Sequence, residues 1–229
     1  METNILTLPS NPREHHVVFL DKQRIQVSDG KTGKIQSLDF PATIVRDGDI
    51  VDNTSFSQSL LPWVKSLSLL PGTASLILAN GVCFGINLSH DSDEKKDAEI
   101  SAFIESVPFS LVRERQITLG ITPMEIAANK EFYDQVRIIL GSCALPVVEV
   151  LPLCVLDGVA GKRWMDTEMA QYIQNHRESL KRFNLLDPEE VPVSTSNLLV
   201  NKEKPMQVYI LLSVFGALVI ILLYLLFGR

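Results

Sequence analysis

The sequence predicts a mixed α/β (α+β) domain followed by a single membrane-spanning helix. Three observations carry that reading. The N-terminal part holds short alternating segments broken by Asp-Gly and Lys-Thr-Gly turns, the strand signature. Downstream, apolar residues recur at three and four positions in several stretches, the helix signature. From Val208 to Phe227 the chain reads VYILLSVFGALVIILLYLLF, twenty residues without a charge, and at ~1.5 Å per residue they span the ~30 Å hydrocarbon layer of a bilayer.

Composition narrows the class. In 229 residues there are 21 Lys+Arg against 27 Asp+Glu, 46% hydrophobic residues, 3 Cys, and 12 each of Gly and Pro. The chain is too apolar for a disordered tail, too acidic for a general nucleic-acid binder and too poor in cysteine for a disulfide scaffold. Three Cys without a CxxC pair suit isolated thiols in a reducing compartment.

Residues 1–14 carry two prolines and no periodicity, and read as a flexible lead-in. A domain over residues 15–184 follows. It opens with a meander of three strands, His16 to Leu20, Arg24 to Ser28 and Lys34 to Phe40, the last two joined by the turn Asp29-Gly-Lys-Thr-Gly33. Asp47-Gly48 makes a tight turn between Val45 and Ile50. The spacing of Phe56, Leu60, Leu61, Val64 and Leu67 predicts a helix in which Pro62 either kinks the axis or starts the regular part. Thr73 to Ala79 and Val82 to Leu88 flank Asn80-Gly81, a dipeptide suited to a type I′ turn, so a second hairpin is expected. The charged run His90 to Asp97 reads as a loop and helix start, lacking the glycine and terminal glutamate of a calcium loop.

Ile100, Phe103, Ile104 and Val107 predict the next helix, and Ile117, Leu119 and Ile121 a strand. Thr122-Pro-Met-Glu125 has the form of a capping box with proline at the first helical position, which predicts a helix from Pro123 to Leu140. Pro146 to Leu156 reads as a buried strand, and residues 164–183 as an amphipathic helix in which His176 is a half-buried surface residue. Residues 185–205, with Pro188 and Pro192, read as a linker to the helix at 206–227.

Catalytic constellations fail one by one. Asp157 to Arg163 resembles a phosphate loop, but that pattern needs Gly at 156 and Ser or Thr at 163, where Leu156 and Arg163 stand. No G-x-S-x-G elbow occurs, and Ser142-Cys143 lacks a neighbouring base. His15-His16 has no third ligand at readable spacing. Asp47, Asp49 and Asp52 surround a turn, where aspartate bonds local amides.

The run Pro41 to Asp52 (PATIVRDGDIVD), the Ala79-Asn80-Gly81 turn, Val107-Pro108-Phe109 at a helix end, and Pro123 to Leu140 leading to Pro146-Val-Val-Glu-Val-Leu-Pro152 together resemble the first lobe of PilM-type proteins. These are actin-like cytoplasmic components of type IV pilus assembly, related to the cytoplasmic part of GspL-type proteins of type II secretion. The resemblance covers about residues 15–157. It implies a single actin-like, RNase H-like lobe with an inserted hairpin-helix-strand subdomain. ATP-binding members have an acid followed by small residues after the first strand. Here Asp21 matches the acid, but Lys22-Gln23-Arg24 follows with no glycine, and no second lobe remains to close a cleft. The expectation is therefore no cofactor, no metal and no catalysis. Ser196-Asn197-Leu198-Leu199-Val200 is similar to the start of PilN-type proteins, whose Asn-Leu-Leu segment docks on the PilM-type protein, which makes Asn197, Leu198 and Leu199 candidate docking residues.

The expected role is a non-enzymatic scaffold, single-pass and tail-anchored in the cell inner membrane, with its N-terminal domain cytoplasmic. No signal peptide is legible, only Gly228 and Arg229 follow the apolar run, and Lys202 and Lys204 precede it. Its expected partners are the inner membrane, pilus or secretion platform proteins with an assembly ATPase among them, and a neighbouring copy of itself, with no nucleic acid. A tail-anchored nucleotide sensor or small enzyme using the His15 and Asp21 end of the meander is the alternative reading, and a membrane adaptor unrelated to pili is another.

Overall fold

The computed structural model describes residues 14–88, 92–156 and 158–190. Strands β1 (Glu14–Asp21), β2 (Arg24–Ser28) and β3 (Ile35–Asp39) form the expected meander, antiparallel throughout. β4 (Val45–Arg46) and β5 (Asp49–Ile50) pair across Asp47-Gly48. Both turn residues have positive φ, 54° and 92°, as a type I′ hairpin requires.

Helix α1 (Asn53–Ser66) is capped by Asp52, whose side chain accepts from the Ser55 amide at 3.0 Å. Pro62 lies inside the helix rather than at its start. β6 (Gly72–Leu78) then inserts beside β1 in parallel. After an inserted segment and a further helix, β10 (Val147–Pro152) adds in parallel to the far edge of β6. The resulting five-stranded order, β10-β6-β1-β2-β3, is a meander extended by two parallel crossover strands, a mixed α/β lobe.

The insert is β7 (Cys83–Asn87), α2 (Asp93–Ser106), β8 (Val112–Leu119) and β9 (Thr122–Asn129). Its three strands form a separate sheet in the order β7-β9-β8. Two expectations are corrected here. Asn80-Gly81 does not close a hairpin, because both edges of β6 are already taken by β1 and β10, so the chain leaves for the second sheet. The insert is therefore strand-helix-hairpin, not hairpin-helix-strand. Nor does Thr122 cap a helix: Thr122 to Asn129 is the central strand of the insert, and helix α3 (Lys130–Ser142) starts only at Lys130. Met124, Ile126 and Ala128 belong to the main core, a period of two that outweighs the capping-box pattern. Pro123 sits near the strand's start, where its carbonyl accepts from the Leu88 amide at 2.9 Å.

Asn129 is the cap of α3, accepting from the Phe132 amide at 3.0 Å and donating to the Gly48 carbonyl at 3.2 Å. Helices α1 and α3 meet through Phe56 and Phe132, whose ring centroids lie 6.0 Å apart. Helix α4 (Thr167–Leu180) starts at the cap Asp166 and ends in the 3-10 turn Lys181–Phe183, so Trp164 and Met165 precede the helix. Leu185 and Leu186, read from sequence as linker, are 0% and 3% exposed and belong to the core. Among the described residues no helix is long and apolar enough to cross a membrane. Val208 to Phe227 and Asn197-Leu198-Leu199 lie outside the described residues.

Candidate functional site

The parallel strands β1, β6 and β10 end on one side of the sheet, where open α/β sheets bind ligands. A cleft of about 320 Å³ opens there, lined by Asp21, Ala79, Asn80, Gly161, Lys162 and Arg163. Asp21 is the last residue of β1, and Lys22-Gln23 turns the chain directly into β2. The Lys22 side chain lies over Gly81, so that a Cβ on Gly81 would stand 2.5 Å from its Cε. The turn after β1 thus lays a long cationic side chain over the Gly81 backbone, where a phosphate-binding loop would leave bare backbone open to a ligand.

Across the cleft, Asn80 Nδ2 donates to the Ala160 carbonyl at 3.2 Å and ties down the loop before α4. Lys162 Nζ is held by Asp166 at 2.7 Å and Glu168 at 2.6 Å in the first turn of α4. Asp166 is held below the usual carboxylate range, first by Lys162 and then by the Met169 amide. Two of the sequence candidates, Asp21 and the Gly161-Lys162-Arg163 stretch, therefore share one cleft. Its lysine is already paired, and its lining contains no nucleophile beside a base.

No protein-family model matches the sequence, and no curated protein matches it. Among solved structures the chain is similar to the PilM-PilN type IV pilus biogenesis complex, with 14% identity and a TM-score of 0.40 over 61% of this chain and 47% of that one. It is also similar to the cytoplasmic domain of EpsL, an inner membrane component of the type II secretion system of Vibrio cholerae, with 11% identity and a TM-score of 0.35 over 61% and 57%. The chain spans about half the length of these solved chains.

His15 lies at the opposite end of β1 from Asp21, six residues or ~20 Å away, so the two do not form one site. It belongs to a polar network beneath α4. Ser75 donates to Glu149 Oε2 at 2.7 Å, His15 Nε2 donates to Ser75 Oγ at 2.8 Å, and Thr73 donates to His15 Nδ1 at 2.9 Å. Arg177 Nε completes it on Glu149 Oε1 at 2.9 Å. Every donor has its acceptor when His15 is neutral. Burial, and then Arg177 and His16, lower its pKa from 6.5 to about 4. Ser75 is fully buried and spends its proton on Glu149, so the Ser-His-Glu set is a structural network and not a nucleophile with its base. The sequence signal for it was Glu149, the one charge in an apolar strand, which needs a buried partner.

His16 is equally structural: its Nδ1 accepts from the Gly30 amide at 3.1 Å and its Nε2 donates to the Leu70 carbonyl at 3.0 Å. Among the described residues no group of three or more His, Cys, Asp or Glu could hold a metal ion. Asp52 caps α1, as turn-favouring aspartates do, and Asp49 stands beside Asn129. Cys83 and Cys154 are not isolated. Their thiols neighbour one another, and burial holds the Cys83 thiol well above its usual range.

Proposed function

We propose that the chain is a non-enzymatic, membrane-anchored adaptor of a type IV pilus or type II secretion-like assembly platform, its lobe on the cytoplasmic face of the inner membrane. The observation that carries this reading is the five-stranded order β10-β6-β1-β2-β3 interrupted by an inserted three-stranded unit, found on a chain whose sequence resembles the first lobe of PilM-type proteins. The uncharged run at 208–227 supports attachment. The cleft at the strand ends supports binding over turnover, because Lys22 covers the Gly81 backbone and Lys162 is neutralised locally by Asp166 and Glu168. Asn197, Leu198 and Leu199 serve as a docking segment for a lobe, in cis or on a neighbouring copy, with one backbone bonding a strand edge and a leucine filling a pocket.

The test is genetic. Deleting the gene abolishes surface filaments or the export of a secreted protein, and the full chain restores it, whereas a chain cut before Pro205 does not. A deletion strain that assembles and exports normally contradicts the proposal. A nucleotide-sensor reading would gain ground only from ligand binding at Asp21.

A further inference from the structure

One charged cluster lies apart from the cleft and the buried network. Residues 185–190, Leu-Leu-Asp-Pro-Glu-Glu, run along β8 and α3, and the groove beneath them reads both their backbone and their side chains. Arg113 Nε donates to the Leu185 carbonyl at 2.9 Å, Arg115 to the Leu186 carbonyl at 3.3 Å, and Arg137 to the Glu190 carbonyl at 2.9 Å. Arg113 pairs with the Asp187 carboxylate at 2.6 Å, and Glu190 lies 3.5 Å from both Arg113 and Lys130. Asp187 is held below the usual carboxylate range, chiefly by Arg113.

The secondary structure explains how four cations converge. Arg113 and Arg115 are two apart on a strand and share one face, while Lys130 and Arg137 are seven apart on a helix and share one stripe. At the start of the segment the two buried leucines supply apolar anchorage, and the Leu185 amide donates to the Val150 carbonyl at 2.8 Å on the edge of β10. Arg137 Nε and the Tyr133 hydroxyl are buried beneath the strap without a hydrogen-bond partner among the described residues, so the groove retains donors that its occupant leaves unused.

The segment closes in a turn, with the Glu190 amide donating to the Asp187 carbonyl at 2.9 Å and the Asp187 amide to the Glu190 carboxylate at 3.0 Å. Guanidinium groups on the carbonyls of residues 185, 186 and 190 recognise a peptide of this shape, not a compact phosphate, and the two carboxylates three residues apart set its register. The segment follows Asn184 directly, and in sequence it leads toward residue 191 and the apolar run. Its exposed ion pairs are individually weak and are screened by salt.

We propose that the β8–α3 groove is a binding surface for an acidic Leu-Leu-Asp-x-x-Glu segment, filled here by the chain's own residues 185–190 and able to accept a second segment of the same chemistry once these are displaced. The end of the described chain is thereby held on an ionic latch. The proposal stands independently of the assembly-platform reading.

Amide exchange on the full chain in detergent tests it, with an acetylated peptide of residues 184–190 as the probe. In Asp187→Asn with Glu190→Gln, exchange over residues 186–190 should rise about tenfold while β1 and β6 keep their protection. The peptide, supplied at the millimolar level that matches a tethered competitor, should slow exchange over residues 130–137 in that variant and not in the wild type. Arg115→Gln added to the variant should weaken this effect, and ~1 M salt should remove it. Unchanged exchange in the variant, a peptide without effect on it, or protection of the same residues by phosphatidylglycerol vesicles but not by the peptide would each overturn the proposal.

Discussion

His15 is half-buried and held as the neutral imidazole, so the unfolded chain takes up its proton first as the pH drops. Between its ordinary pKa of 6.5 and its folded value of about 4, stability should fall as the pH falls, and below that window this contribution should be constant. His15→Gln should flatten that slope, measured as urea midpoints at neutral pH and at about pH 5. An unchanged slope would mean that other groups govern acid unfolding. Asn129 makes a different prediction. Its side chain caps α3 and also holds the β4–β5 turn, so Asn129→Ala should cost about 2 kcal/mol. Asn129→Asp, which keeps the acceptor and loses the donor, should recover part of that loss. Asn129 was not legible as a cap because the stronger local pattern, Thr-Pro-Met-Glu, stands seven residues earlier and is used in a strand.

Among the elements, those governed by local chemistry read well. The meander, the Asp47-Gly48 hairpin and α1 depend on turns, caps and periodicity close in sequence, and they lie where the sequence places them. The insert read poorly because its strands find partners through sheet edges far along the chain. No local signal says that β6 will have both edges occupied, or that Thr122 to Asn129 will lie between β7 and β8. The close parallel approach of β1 and β6 offers a direct check on that topology. A Cβ on Gly72 would stand 2.1 Å from the Glu14 carbonyl oxygen, so Gly72→Ala should cost more than about 2 kcal/mol in chemical denaturation. A neutral substitution would contradict the pairing of Glu14 with Gly72.

On the scale of the whole molecule, the candidate site was half legible. Asp21 and the loop before α4 were visible as degenerate phosphate-binding stretches, but only the fold shows that they line the same cleft. The polar network and the acidic strap were hidden because each joins residues dozens of positions apart. With Lys22 over the Gly81 backbone and Lys162 paired, the chain cut before Pro205 should show no thermal shift with Mg-ATP, since a ligand that binds the folded state must raise its stability. A shift of several degrees that Asp21→Ala removes would restore the nucleotide-sensor reading. The proposed role depends above all on the lobe being held at the cytoplasmic face by residues 208–227. Labelling an engineered Ser10→Cys in intact cells with a thiol reagent confined to the outside tests this directly. The residue should be protected until the inner membrane is permeabilised and then react. Labelling in intact cells would contradict the orientation and, with it, the assignment to the cytoplasmic side of an assembly platform.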